Sequence, residues 1–342
     1  MTHRIELLGV PGSPYTRKLL ALLRYRHIPY SVIWGSHRNP PAGYPEPKVK
    51  LLPTIYLPDG AGVLEAMVDT TPIAERLERD YAGRAAIPDD PALAYCNALI
   101  EDYADEWLTK AMFHYRWYHQ EDRVNAGPLL AHWGATTRSD EDAQAMSAKL
   151  TEHQYNRLYV VGSNDITADT IEQSYVRLVN LLDRLLALRG FVLGARPATA
   201  DFALYGQLTQ LGVVEPTPAA ILSKRSPRLR TWIDTMEDLS GLDPQPTDWF
   251  TPEQAFQHLR PLLQEIGRVY VPFLLANAAA AESGALQMDA EIDGRPWSQP
   301  VFPYQVKCLE RLRLNFFQMS QTAASATKAL LEGTGCEPLT FN

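Results

Sequence analysis

Ile5-Glu6-Leu7-Leu8-Gly9-Val10-Pro11-Gly12-Ser13-Pro14-Tyr15-Thr16-Arg17-Lys18-Leu19-Leu20-Ala21-Leu22-Leu23 is the stretch from which the rest of the fold follows. Residues 5–10 are an apolar run of strand length, stopped by Pro11-Gly12. Ser13 or Thr16 then offers a side-chain oxygen to cap a helix whose Leu19, Leu20, Leu22 and Leu23 gather on one side. Outward from there, Pro29-Tyr30-Ser31-Val32-Ile33-Trp34 reads as a second strand, and residues 35–50 as a proline-laden loop without period. Thr54-Ile55-Tyr56-Leu57, the turn Pro58-Asp59-Gly60, and Val63-Leu64-Glu65-Ala66-Met67 read as strand, turn, strand. Thr71-Pro72-Ile73-Ala74-Glu75-Arg76-Leu77 begins another helix, with Pro72 at a tolerated first-turn position. The order is strand, helix, strand, loop, strand, strand, helix.

Past the linker Ile87-Pro88-Asp89-Asp90-Pro91 the pattern turns helical. Residues 92–120 predict one long helix, followed by helices near 140–156, 168–189, 200–212 and 227–239, with no comparable strand between 90 and 245. Asp243-Pro244-Gln245-Pro246 marks a further break. Beyond it we expect a helix over 252–282, a hairpin turning at Asp293-Gly294, and an amphipathic helix over 303–319. No internal repeat is visible. The division predicted is 1–83, 90–245 and 246–342, the last wrapping onto the helical domain or over its pocket. The last ten or so residues are expected to be loosely ordered.

At roughly 150 residues per domain, 342 residues suit two domains. Apolar residues at 46% and charged residues at 21% are ordinary for a globular chain and argue against general disorder. A formal net charge of −8 argues against a general nucleic-acid or anionic-membrane binder. No apolar run reaches spanning length, and the N-terminus lacks a signal-peptide layout. Cys96, Cys308 and Cys336, odd in number and far apart, rule out a disulfide framework. A cytoplasmic protein without membrane or nucleic-acid partners is the expectation. The phosphate-cradling glycine motifs, the G-x-S-x-G elbow and C-x-x-C are all absent, so dinucleotide, P-loop, hydrolase-elbow and dithiol readings lack their machinery.

The N-terminal order, with Pro53 opening the third strand, resembles the thioredoxin fold. Gly12-Ser13-Pro14-Tyr15-Thr16-Arg17-Lys18, Leu52-Pro53-Thr54, Asp69-Thr70-Thr71-Pro72-Ile73 and Pro197-Ala198-Thr199-Ala200-Asp201-Phe202 carry the likeness further. In order and spacing they resemble signature stretches of the glutathione S-transferase superfamily, over residues 1–240. The resemblance implies an α/β thioredoxin-like N-terminal domain followed by an all-α C-terminal domain. It also implies glutathione as co-substrate, a small apolar electrophile as acceptor, and a homodimer whose interface lies between the two domain types.

Each stretch then has a physical task. A helix N-terminus presents unpaired N–H groups and partial positive charge, which stabilise an anion. A thiol of pKa roughly 8.5 is mostly protonated at neutral pH, and a hydroxyl donating to the sulfur favours the thiolate. Ser13 stands where serine-type members carry that hydroxyl, with Tyr15 and Thr16 as rivals; a cysteine at 13 or 16 would have suggested thiol–disulfide chemistry instead. A cis Leu52–Pro53 bond, implied by the resemblance, would turn the N–H and C=O of Leu52 towards the tripeptide backbone. Asp69 would meet the γ-glutamyl ammonium and Thr70 its carboxylate, an Asp-Thr pair where the family usually has Glu-Ser. Lys50 would assist at the glycyl carboxylate, with His37 and Arg38 as weaker alternatives. Ala198 departs from the Ser or Thr of the family's capping segment, and Thr199 is the substitute at hand.

Tyr103, Trp107, Ala111 and Tyr115 recur every four residues on one helix face. The resemblance puts that helix beside the electrophile, although such a stripe also suits a core. Met112-Phe113-His114-Tyr115-Arg116-Trp117-Tyr118 is unusually aromatic and includes ionisable groups. His114 and His119 have no Glu at a zinc-enzyme spacing, so no metal is expected. The readings in view are a glutathione-conjugating transferase, a non-catalytic binding module of the same fold, and a glutathione-dependent isomerase or lyase.

Overall fold

A computed structural model of the chain describes residues 4–36 and 42–341. Its first unit runs β1 (Ile5–Gly9), α1 (Pro14–Tyr25), β2 (Tyr30–Trp34), β3 (Thr54–Pro58), β4 (Leu64–Met67) and α2 (Thr70–Asp80). The sheet order is β2-β1-β3-β4, with β1 and β2 parallel and the other pairs antiparallel. The parallel pair needs a crossover, and α1 supplies it. Ile5, Leu7, Ile55 and Leu57 bury against Leu19, Leu22 and Leu23 of α1 and Ile73 and Leu77 of α2, all at most 2% exposed. This is the thioredoxin-like arrangement that the element order, with Pro53 opening the third strand, resembles.

The helical unit runs α3 (Pro91–Tyr103), a wide π turn at Ala104–Leu108, α4 (Thr109–Tyr118), α5 (Gln120–Trp133), α6 (Asp140–Tyr155), α7 (Ala168–Arg189), α8 (Thr199–Thr209), α9 (Pro216–Arg225) and α10 (Pro227–Met236). The single helix expected over 92–120 is therefore two helices. The π turn widens the path, and His119, in extended backbone with φ −79° and ψ 136°, ends it. The expected helices over 200–212 and 227–239 begin in register. The helices α5 and α9 are additional to the sequence reading. Gly127-Pro128 inside α5 and Pro216-Thr217-Pro218 opening α9 read as breakers in isolation.

The C-terminal segment contains α11 (Pro252–Glu282), β5 (Gln287–Ile292), β6 (Arg295–Pro300), α12 (Pro303–Phe317) and α13 (Gln321–Leu331). The β5–β6 hairpin turns at Asp293 and Gly294 with φ 54° and 69°, the left-handed pair its sequence predicts. The segment shares one continuous core with both preceding units. The tail is packed rather than loose. Cys336 and Leu339 are fully buried, and the Cys336 thiol donates to the Leu263 carbonyl at 3.2 Å. Cys96 and Cys308 are buried as well, and all three thiols are free. No helix among the described residues is long and apolar enough to cross a membrane.

Candidate functional site

Strand register brings the N-terminal signature stretches to one end of the sheet. Leu8 pairs with Thr54 and Ile55 with Met67, so the end of β1, the start of β3 and the end of β4 lie side by side. Two helices, α1 and α2, begin at that end and aim their free N–H groups there.

Ser13 caps α1. Its extended backbone (φ −90°, ψ 118°) lets Oγ accept from the Thr16 N–H at 3.2 Å, and Pro14 fills the first helical position. The side chain is half-buried. Thr16 is fully buried, its Oγ1 without a hydrogen-bond partner among the described residues and packed on Gly9. The Tyr15 hydroxyl donates to the Asp105 carbonyl at 2.8 Å and lies 3.3 Å from Thr109 Oγ1. Burial and the nearby Glu106 and Asp105 charges push this phenol up, so it stays protonated. Of the three rivals, only Ser13 presents a partly exposed hydroxyl unspent on the domain interface.

The Leu52–Pro53 peptide is cis, with Pro53 buried and Leu52 partly exposed. Asp69 caps α2 through Oδ1, which accepts from the Thr71 N–H at 3.3 Å. Its φ of 73° is unusual for a residue with a side chain, the kind of conformation that collects at ligand clamps. Thr70 is buried in the first turn. Lys50 is half-exposed and pairs with Glu46 at 3.2 Å. His37 and Arg38 lie outside the described residues.

The cover on Gly12, next to Ser13 in the chain, comes from residues that the sequence reading did not select. Trp133, at the end of α5, lies so close on Gly12 that a Cβ there would sit 1.8 Å from its ring. Arg116 stacks over Trp133 at 5.6 Å and donates to the Gly12 carbonyl at 3.1 Å. The Arg116 guanidinium also pairs with Glu215 and donates to Gln210 Oε1 at 2.7 Å. Behind α1, Gly206 of α8 approaches the Pro14 carbonyl so closely that a Cβ would stand 2.4 Å from it.

The aromatic stripe expected to border an acceptor is interior. Tyr103, Trp107 and Tyr115 are at most 1% exposed. Trp107 packs on Trp297 and Phe273 and donates to Ser174 Oγ at 3.1 Å, while Tyr103 meets Tyr270 and Tyr115 meets Tyr175. The C-terminal segment supplies much of this cover, and sequence periodicity carries no sign of it. Thr199 does not replace the missing cap hydroxyl either; its Oγ1 accepts from Asn97 at 2.7 Å and donates to Glu101. Asp201 completes its half of the capping box alone, accepting from the Ala198 and Val192 N–H groups at 2.9 Å each.

Beneath the site, Lys18 of α1 reaches Glu101 at 2.7 Å and Asp105 at 2.6 Å, joining the two units through a buried triad. Thr71 adds a hydrogen bond to Glu101 at 3.2 Å. Burial opposes each charge, yet Asp105 and Glu101 hold the Lys18 ammonium well above its usual range. Burial likewise works against Glu101, and the neighbouring ammonium wins, holding its carboxyl below the usual range. At Asp105 burial, helped by the Glu101 charge, outweighs the Lys18 ammonium, and the carboxyl is pushed up to about 7. On the same face Glu106 rises to about 8 through burial and the Asp102 charge, held by Gln305 at 3.1 Å.

From the C-terminal segment, Tyr304 donates to Asp69 Oδ2 at 2.7 Å, and Arg311 and Tyr270 hold Asp102 at 2.8 and 2.6 Å. A cavity of about 530 Å³ opens between α2, α3 and α12–α13, with Thr71, Glu101 and Arg311 among its lining. His114 and His119, which have no Glu at a zinc-enzyme spacing in the sequence, meet Glu172 of α7.

With this geometry in place, comparison with known families is decisive. The family model described as glutathione S-transferase, N-terminal domain, matches residues 7–85, and that for the C-terminal domain matches residues 147–235. The chain belongs to the glutathione S-transferase superfamily. The comparison with curated proteins found no match. Solved structures similar to this superfamily member include a glutathione S-transferase from Methylobacterium radiotolerans in complex with glutathione sulfonate, at 18% identity and TM-score 0.41, covering 69% of this chain and 91% of that one. The β-etherase from Sphingobium sp. strain SYK-6 is 17% identical with TM-score 0.46, covering 69% and 95%. The Tau class glutathione S-transferase from mango, Mangifera indica, is 15% identical with TM-score 0.40, covering 72% and 96%.

Proposed function

We propose that the chain is a glutathione transferase that binds glutathione as co-substrate, stabilises its thiolate at the start of α1, and conjugates it to an apolar electrophile. The observation that carries this reading is the meeting of two helix N-termini and the Leu52–Pro53 turn at one end of the sheet. Ser13 Oγ already accepts from the Thr16 N–H, so its own proton remains available to a sulfur anion. The peptide groups of Leu52 would pair with the cysteinyl backbone. Asp69 would take the ammonium, and Thr70 with the α2 N–H groups the γ-glutamyl carboxylate. Lys50 would contribute long-range attraction to the glycyl end.

A second reading has a specific observation behind it. Tyr304 already occupies one oxygen of Asp69, and Trp133 and Arg116 cover Gly12 beside Ser13. A non-catalytic binding or interaction module that keeps the fold, with the C-terminal extension blocking or remodelling the site, is consistent with those contacts.

Calorimetry with glutathione, combined with ultraviolet titration of the bound thiol, separates the two. The transferase reading expects saturable binding, a thiol pKa below that of free glutathione, and a rise in that pKa in Ser13→Ala. Binding with an unshifted thiol, or no binding at millimolar glutathione, overturns the transferase reading and favours the module. A homodimer belongs to the same reading. Because α12 and α13 pack on α3, with Tyr304 reaching Asp69, the second copy would have to meet another face. Sedimentation velocity of the full chain tests it.

A further inference from the structure

We propose that His114, His119 and Glu172 form a binding site for a divalent transition metal of the zinc class, separate from the glutathione cradle. His114 lies on the last turns of α4, His119 is the extended residue between α4 and α5, and Glu172 is on the first turns of α7. Both imidazole Nε2 atoms converge on one carboxylate oxygen, Glu172 Oε1, at 3.1 Å from His114 and 2.9 Å from His119. The three donor atoms lie within 4.8 Å of one another. Zinc bonds of roughly 2.0–2.2 Å at tetrahedral angles put donor atoms about 3.4 Å apart, so each nitrogen–oxygen edge has to open by only roughly 0.3–0.5 Å.

The surroundings hold the ligands as a metal site requires. His114 Nδ1 lies 2.8 Å from Ser163 Oγ, and the Ser163 N–H is itself tied to the Leu158 carbonyl at 3.1 Å. With Nδ1–H donating to Ser163, the Nε2 lone pair of His114 points to the metal, the outer-shell arrangement that fixes a ligand tautomer. Tyr118 stacks on His114 at 4.5 Å and Tyr115 on His119 at 5.7 Å, so neither ring turns freely. Asp122 is fully buried, close enough for its charge to act on His114, and its Oδ2 has no hydrogen-bond partner among the described residues. An unpartnered buried carboxyl oxygen near His114 adds to the attraction for a cation. His114 is sealed off, whereas the His119 and Glu172 side chains are 33% and 34% exposed. That leaves an entry path and a fourth position for water. Two imidazoles with a single carboxylate suit zinc-class ions better than magnesium or calcium, which want oxygen ligands. The metal would fasten the α4–α5 junction to α7.

The test uses the full chain, stripped with EDTA and dialysed, titrated with zinc chloride against a chromophoric chelator and separately with cobalt(II). One equivalent of zinc per chain is expected. It should be weakened at least tenfold by His119→Gln and by Glu172→Gln, roughly tenfold to a hundredfold by Ser163→Ala, and not by the control His132→Gln. Cobalt should give the visible bands of a nitrogen–oxygen site without a sulfur charge-transfer band. Circular dichroism in EDTA checks that each variant folds. Should a variant fail that check, zinc is expected to raise the wild-type melting temperature and EDTA to reverse the rise. No competition with the chelator, binding undiminished in folded His119→Gln and Glu172→Gln, or a melting temperature indifferent to zinc each overturns the proposal.

Discussion

Ser13 carries two duties on one oxygen, cap of α1 and candidate donor to a bound sulfur, and substitution separates them. Ser13→Ala should cost about 1 kcal/mol of stability through the lost acceptor for the Thr16 N–H, seen in urea unfolding. It should cost more in turnover, about 10- to 100-fold in kcat/KM, if a charge-assisted hydrogen bond to the thiolate is lost. Lys110 makes a different prediction. It is buried, donates to the Val161 carbonyl at 3.2 Å, sits 4.1 Å over the Phe273 ring, and burial pulls it down to about 7. Between that value and its ordinary 10.5 the unfolded chain binds more protons, so this group makes stability rise with pH across the window. Lys110→Met should remove the rise and should be the more stable protein below pH 7, by an amount on the order of 4 kcal/mol. Denaturant midpoints at several pH values check it. Ser13, Pro53 and Asp69 were legible because caps and prolines act on their own neighbours. Arg116, Trp133 and Glu172 were not, because their partners Gly12 and His119 lie on elements that only tertiary packing brings near.

Helix α8 shows an element held by one side chain. Asp201 alone satisfies two buried N–H groups, those of Ala198 and Val192, because Ala198 cannot return the favour of a capping box. Asp201→Ala should destabilise the protein by about 2–4 kcal/mol, from two stranded donors at roughly 1–2 kcal/mol each. Asp201→Asn, which retains one acceptor, should fall between. Thermal unfolding of the pair measures both. At this scale the strands and the strongly amphipathic helices were readable, as were α6, α7 and α11 nearly to the residue. The helices α5, α9 and α13 were not: α5 gathers no apolar face, α9 opens on Pro216 with Pro218 two residues on, and α13 is a short run rich in small residues.

Across the whole molecule, α12 binds the other units through polar contacts. Asp102 is buried between Arg311 and Tyr270, and removing either partner leaves a carboxylate short of hydrogen bonds. Arg311→Met should cost about 3 kcal/mol, and Asp102→Asn in the same chain should recover part of it, the signature of a coupled pair in a double-mutant cycle. The architecture of the first two units followed from pattern and motif. The role of 246–342 did not, since its value lies in surfaces it covers, Trp107 by Trp297 and Asp69 by Tyr304, which sequence reading met only as a possible wrap. The sealed thiols have a practical corollary. Cys96 and Cys336 are buried with thiols pushed up to about 12, and Cys308 is buried beside Asp102 and pushed higher still. An alkylating dye meets no ready sulfur on the native protein, so the pace at which each cysteine is labelled becomes a clock for how often that region breathes open. A single cysteine engineered on the surface would report alone.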